Sequence, residues 1–198
     1  MSPLSRLRPQ EDNRLAFFQG FLKRPREVGS IIPSSRFLER RINAAAGLER
    51  AKLAVELGPG TGGTTRSFLK RMRPDATLLA IEINPDFVRV LKRMRDKRLV
   101  VHEGSATDLK LILSKHELPA PDVILSGIPF STMPYSLGQE ILRSVHSSLE
   151  PGGLFVAYQV RDRVESLGNE VFGPAQVQAE LRNVPPMRVY RWEKRADN

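Results

Sequence analysis

The chain contains no cysteine, so disulfides and thiolate metal sites are excluded. Its three histidines, His102, His116 and His146, lie far apart with no carboxylate cluster around them, and no metal is expected. No apolar run approaches the roughly 20 residues that a membrane-spanning helix needs, and no signal-peptide pattern opens the sequence. A cytoplasmic protein is expected. Internal repeats and low-complexity stretches are also missing. What is present is 198 residues, 40% hydrophobic and 27% charged, which suits one globular domain with a sizeable core.

The balance of charge is uneven. Thirty-one Lys and Arg stand against 22 Asp and Glu, leaving +9, and 23 of the 31 are arginine. Such an excess suits a polyanionic partner, either nucleic acid or an anionic membrane surface, or serves solubility alone. Residues 1–41 carry nine basic and four acidic groups. Within them Leu15, Phe18 and Leu22 recur at helical spacing, joined by Phe17 and Phe21. Glu11 and Asp12 favour the start of that helix, Lys23 and Arg24 its end, and Pro25 stops it. Its aromatic face, Phe17, Phe18 and Phe21, beside Lys23 and Arg24, fits a membrane interface or packing on the protein's own core; periodicity does not separate the two.

The rest of the chain is organised around Ala54-Val55-Glu56-Leu57-Gly58-Pro59-Gly60-Thr61-Gly62-Gly63-Thr64-Thr65. An apolar run breaks into a glycine-rich turn and then a helix-compatible segment, so the backbone can approach a ligand and the new helix can offer it free N–H groups. The lysine of a nucleoside-triphosphate loop is absent. Glu56, just before the first glycine, is placed to accept from the ammonium of an amino-acid moiety. Glu82 ends the next apolar run, twenty residues after Gly62, where a carboxylate can take both hydroxyls of a ribose.

Strands are predicted at 52–57, 77–82, 98–103, 121–126 and 154–160, alternating with helices near 64–72, 85–95, 109–116 and 135–149. Such alternation implies a parallel, doubly wound sheet with ligands at the carboxyl ends of its strands. A further helix is expected from Ser34 or Ser35 to about Ala46, closed by Gly47 and able to fold over a ligand as a lid. Residues 175–182 alternate apolar and polar, which predicts a half-buried strand, and Met187 to Trp192 reads as the last one. Small residues from Gly104 through Ser105 and Ala106 to Asp108 leave room for an adenine ring.

The Glu56 loop with Glu82 resembles the first two motifs of Rossmann-like S-adenosylmethionine (SAM) methyltransferases. The run from Gly29 to Glu39, the segment from Ser126 to Pro134, and Asn183-Val184-Pro185-Pro186 with Val189-Tyr190 resemble bacterial phospholipid N-methyltransferases, over about residues 11 to 193. That resemblance implies an α/β, Rossmann-like class I SAM methyltransferase with a seven-stranded, mostly parallel sheet and a C-terminal antiparallel hairpin. It implies an N-terminal amphipathic helix and lid over residues 1–48 and a methyltransferase domain over 49–198. The cofactor would be S-adenosyl-L-methionine, held by Ser30, Glu56, Gly58, Gly60, Thr61, Glu82, Ile83, Gly104, Ser105, Ala106 and Ser126. The implied substrate is phosphatidylethanolamine, methylated stepwise to phosphatidylcholine at the inner face of the membrane. Pro129, Phe130, Tyr135 and Tyr158 would lie by the reacting amine, the aromatic faces holding the cationic product. No histidine or carboxylate stands out as a base.

Ribosomal-RNA adenine dimethylases are similar to this chain in the same blocks. Two departures count against them. Ser126 stands where their Asn-Leu-Pro-Tyr motif begins with the amide that holds an adenine amine. The sequence also ends at Asn198, where an RNA-binding helical domain would follow. Nucleic acid is therefore the less expected partner. The third reading is a non-catalytic methyltransferase-fold module binding membrane or RNA through its basic face.

Overall fold

The computed structural model describes residues 35–195. The expectations placed on Ser30 and on the helix bearing Phe17, Phe18, Phe21, Lys23 and Arg24 lie outside the described residues.

Seven strands form one sheet in the order β3-β2-β1-β4-β5-β7-β6. Strands β1 (Leu53–Leu57), β2 (Thr77–Glu82), β3 (Leu99–Glu103), β4 (Val123–Ser126) and β5 (Leu154–Gln159) are parallel. The last two, β6 (Gln176–Glu180) and β7 (Met187–Glu193), run antiparallel to their neighbours. β1 and β4 are buried along their whole length, as central parallel strands covered on both faces must be. The order reverses between β1 and β4, so the crevice at their carboxyl ends is the position for a ligand.

Helices α1 (Arg36–Ala46), α2 (Gly63–Arg71) and α3 (Pro85–Lys92) cover one face. The other carries α4 (Leu109–Lys115), α5 (Tyr135–Ser148) and α6 (Arg163–Phe172). Ser35 caps α1, its hydroxyl accepting from Leu38 N–H at 3.2 Å, and Gly47 closes it at φ 61°. The apolar stripe of α1, Leu38, Ile42 and Ala46, is buried on the sheet with Phe68 of α2 and Val189 of β7. Among the described residues α1 is therefore part of the core, and its apolar stripe is not free to serve as a lid. The expected boundary at 48–49 does not separate it from the domain. Asn183 ties the hairpin to it, accepting from Ser35 N–H at 2.9 Å, and Arg41 pairs with Glu180 at 3.1 Å.

Two further expectations need correction. Helix α6 was not predicted, although Val164, Leu167 and Val171 recur at helical spacing; Asp162, which precedes it, makes no side-chain cap. Gly168 lets α6 rest on Trp192, where an added Cβ would lie 2.3 Å from the indole. Strand β6 forms as predicted but is not half-buried, since Val177 is 42% exposed and only Glu180 of its five residues is buried. It is the outermost strand, reached from α1 by the polar arm of Arg41. Among the described residues no helix is long and apolar enough to cross a membrane.

Candidate active site

The turn after β1 is made by glycines at positive φ: Gly58 at 69°, Gly60 at 58° and Gly62 at 81°. Two are needed for close packing. A Cβ on Gly58 would meet Ile128 Cγ1 at 3.0 Å, and one on Gly62 would lie 2.0 Å from Met94 Cε. Gly60 differs, because nothing stands within 4 Å of its added Cβ, so the space above the loop is open. The loop then becomes α2, whose N-cap Gly62 offers no side-chain bond, and the first N–H groups of that helix remain for a ligand.

Two carboxylates hold this loop from below and from the side. Glu56 is fully buried, and the hydroxyls of Thr64 and Thr65 donate to its two oxygens at 2.5 and 2.6 Å. Burial pushes its pKa up to about 7, against the opposing effect of the two hydroxyls; the charge of Glu82 adds slightly to the rise. Glu56 therefore sits beneath the loop, clamping the first turn of α2 to β1, and does not face the opening where an ammonium would be met. The cause is register: Glu56 points to the α2 face of β1, as Ala54 does.

Glu82 is placed as expected at the end of β2. Its oxygens accept from Gly60 N–H and Asn84 N–H, both at 2.9 Å. Burial raises its pKa, and the donors Asn84, Gly60 and Ile83 restrain the rise. A carboxylate has about four lone-pair sites, so capacity is left for a diol. Ile83 follows, half-buried, and Thr61 is exposed on the loop. After β3, Gly104 N–H donates to Glu82 O at 3.0 Å, and the Ser105 hydroxyl accepts from Thr107 N–H at 3.3 Å. Ala106 turns its methyl into the core.

The turn after β4 lies against the glycine loop. Gly127 N–H donates to Leu57 O at 3.0 Å, and a Cβ on Gly127 would stand 2.8 Å from Tyr158 Oη and 3.2 Å from Gly58 O. The Ser126 hydroxyl is fully buried and accepts from Ile128 N–H at 3.2 Å, so it shapes the turn and does not face a ligand. Gln159 steadies the same turn by donating to Ile128 O at 2.7 Å. Pro129 O accepts from the Thr132 hydroxyl at 2.8 Å.

The three expected aromatic residues are not assembled into one cage. Phe130 is 0% exposed in the core under α5, with no open face for a cation. Tyr158 belongs to the core on the opposite face, its hydroxyl 3.4 Å from Thr64 Oγ1, and burial drives its pKa well up. Tyr135 is 37% exposed, bonded through its hydroxyl to Glu170, with the Arg163 guanidinium 5.8 Å from its ring centroid. Alternate faces of the sheet and separate packing partners account for the dispersal. Sequence reasoning missed Thr64, Thr65 and Asn84 as site builders, while Gln159 stands beside Tyr158 at the strand end where the site was expected. The Thr pair following the glycines was the visible signal for the first two.

The sequence model of the methyltransferase-domain family matches residues 55–155, from within β1 into β5. The chain belongs to the methyltransferase family. This methyltransferase is 32% identical over 177 residues to the ornithine lipid N-methyltransferase of Singulisphaera acidiphila, which covers 88% of this chain and 92% of that protein. It is 29% identical over 176 residues to the ribosomal RNA small subunit methyltransferase A of Methylococcus capsulatus, covering 85% of this chain and 60% of that one. Its fold is that of the O-methyltransferase TomG from Streptomyces achromogenes in complex with SAM (TM-score 0.67, 14% identity, 96% and 92% of the two chains). It is equally that of the Burkholderia thailandensis 1,6-didemethyltoxoflavin-N1-methyltransferase with bound S-adenosylhomocysteine (TM-score 0.65, 17% identity, 99% and 93%). The methyltransferase uses S-adenosyl-L-methionine. The residues present fit that cofactor: the space over Gly60 admits it, and Glu82 can receive its ribose.

Proposed function

We propose that this methyltransferase N-methylates the amine headgroup of a membrane lipid, with phosphatidylethanolamine, taken stepwise towards phosphatidylcholine, as the first substrate and an ornithine lipid as the second. The observation that carries this reading is the end-to-end similarity to an ornithine lipid N-methyltransferase, 88% of one chain on 92% of the other. The turn after β4 also opens on Ser126, without the amide side chain that resemblance associates with adenine.

SAM supplies an activated methyl group on its sulfonium. The protein's own task is to align the amine with it and to free that amine of its proton. A lipid ammonium has a pKa of roughly 10, as a lysine does, so it is mostly charged at neutral pH. Passage into the crevice beside Gly127 and Ile128 strips its water and lowers that value. Tyr158 Oη lies under the same turn, and the Thr64 hydroxyl joins it to Glu56 at 3.4 and 2.5 Å. Glu56, with a pKa of about 7, is suited to take up a proton delivered along that line near neutral pH. The aromatic and basic residues Phe17, Phe18, Phe21, Lys23 and Arg24 would bring the enzyme to the inner face of the membrane.

Labelled SAM, offered with phosphatidylethanolamine vesicles, ornithine-lipid vesicles and ribosomal RNA lacking its methyl groups, tests the reading. Label is expected in lipid amines and not in RNA. Label in adenine would replace this reading with the RNA one. No label anywhere, together with weak SAM binding, would leave a non-catalytic module.

A further inference from the structure

A second concentration of charge lies away from the N-terminus. Residues 66–98 hold ten basic and four acidic side chains, most of the net +9 of the whole protein. The four acids are engaged. Asp75 pairs with Arg73 at 2.6 Å, Asp86 with Arg89, and Asp96 with Arg98 at 2.7 Å, while Glu82 belongs to the cofactor site. Arg66, Lys70, Arg93 and Arg95 have no carboxylate partner among the described residues, and all four are exposed.

These four line one cleft of about 590 Å³ between α2 and α3. Its floor is aliphatic, formed by Leu69, Val90 and Met94. Helix electrostatics explain part of the arrangement, since Lys70 sits in the last turn of α2, where cations are favoured. They also favour Arg93, the C-cap of α3, but do not explain Arg66 in the first turn of α2, where a cation is disfavoured, or Arg95 beyond the end of α3. An exposed set of cations around an aliphatic floor matches a surface of phosphate groups over glycerol and acyl carbon. A single-stranded nucleic acid asks for aromatic platforms, and none of the residues lining the cleft is aromatic.

We propose that the α2–α3 cleft is a docking surface for the phosphate groups of an anionic lipid bilayer. The choice of occupant rests on the lipid reading given above. Arg66, Lys70, Arg93 and Arg95 contact headgroup phosphates, and Leu69, Val90 and Met94 lie against the carbon beneath. Attraction falls with salt, because the contacts are exposed.

The test uses the full chain and vesicles of phosphatidylcholine with or without phosphatidylglycerol, read by co-sedimentation. Neutralising one such cation should weaken binding about fivefold, and Lys70→Gln/Arg93→Gln/Arg95→Gln together about a hundredfold. The triple variant should keep its SAM affinity and its transfer of label to detergent-dispersed lipid, since none of the three side chains enters the site. Should it lose SAM binding, Arg95→Gln alone, with its fivefold loss, carries the test. Vesicle affinity equal to wild type in a SAM-binding variant overturns the docking surface. So does a variant that loses affinity for ribosomal RNA and not for vesicles. The two proposals fail separately. Absent lipid methylation with variant-sensitive vesicle binding sinks the functional reading and keeps the surface; intact methylation with unchanged vesicle binding does the reverse.

Discussion

The turn after β1, with its cofactor carboxylate Glu82, and the turn after β4, where the proposed acceptor would enter, are built by different means. Around β1 and β2 the work is done by backbone: three glycines at positive φ, an uncapped helix start, and two carboxylates that hold N–H and hydroxyl groups. Around β4 and β5 it is done by side chains with partners of their own, such as Ser126 on Ile128 N–H, Gln159 on Ile128 O and Tyr135 on Glu170. A backbone site tolerates little substitution and recognises one ligand. A side-chain site can be retuned residue by residue, as a family with many acceptors requires.

The largest effect expected is at the glycines, and it splits in two. Gly62→Val places a branched side chain at φ 81°, against Leu91 and Met94. Backbone strain of about 1–2 kcal/mol and overpacking of about 1–3 kcal/mol add up to a large fraction of a domain's stability. Both the melting temperature and SAM affinity should fall. Gly60→Ala, with open space around it, should cost only the strain of about 1–2 kcal/mol. It should still lose SAM, because its methyl occupies ligand space. Calorimetry and a thermal melt on the pair separate a packing glycine from a recognition glycine. Intact SAM affinity in Gly60→Ala would mean that the cofactor approaches elsewhere.

The same division decides what the sequence made legible. Glycine spacing and the position of Glu82 announce a backbone site, because few other reasons place those residues there. Strand alternation likewise carries the sheet, from Leu53 to Gln159. Side-chain direction is less visible. Glu56 was expected to face a ligand, and the pleat turns it under α2; Phe130 and Tyr158 were expected together and lie in opposite cores. Helix α6 escaped notice although Asp162 is a cap-type residue and Val164, Leu167 and Val171 carried the period. The charge excess over residues 66–98 was open to view in the sequence, but that Arg66, Lys70, Arg93 and Arg95 share one cleft was not, since two helices and a turn bring them together.

A middle-sized effect is expected at Glu56, and it depends on pH. The folded pKa, about 7, lies above the ordinary 4.5 chiefly because burial opposes the charge. Its contribution to stability is therefore fully present below pH 4.5 and is lost as pH rises through 7. Glu56→Gln should gain on wild type between pH 5 and 8, by on the order of 3 kcal/mol at most in the ligand-free protein. His102 works the other way. Burial and the neighbouring His116 lower its pKa, so its contribution is present above 6.5 and lost as pH falls through the folded value. Taking the difference between variant and wild type in denaturant titrations cancels that term. A flat difference would show that Glu56 does not bear an opposed charge.

The smallest effect is expected at Tyr135, exposed at the start of α5. Tyr135→Phe loses the bond to Glu170 and keeps the ring under Arg163. At an exposed position stability should move by no more than about 0.5 kcal/mol, and SAM affinity not at all. Tyr135→Ala removes the ring itself. If that ring borders the path of the lipid amine, the alanine variant raises the acceptor KM while SAM affinity stays at the wild-type value, and the phenylalanine variant does not. Arg163→Gln sharpens the result, because a cation over the ring competes with an incoming ammonium for the same face; its removal should lower the acceptor KM. Equal KM values for wild type, Tyr135→Ala and Arg163→Gln would detach Tyr135 from the acceptor path. The proposed acceptor entry would then consist of the Ser126–Phe130 turn, steadied by Gln159 and backed by Tyr158, and would resemble the turn after β1 more than the comparison above allows.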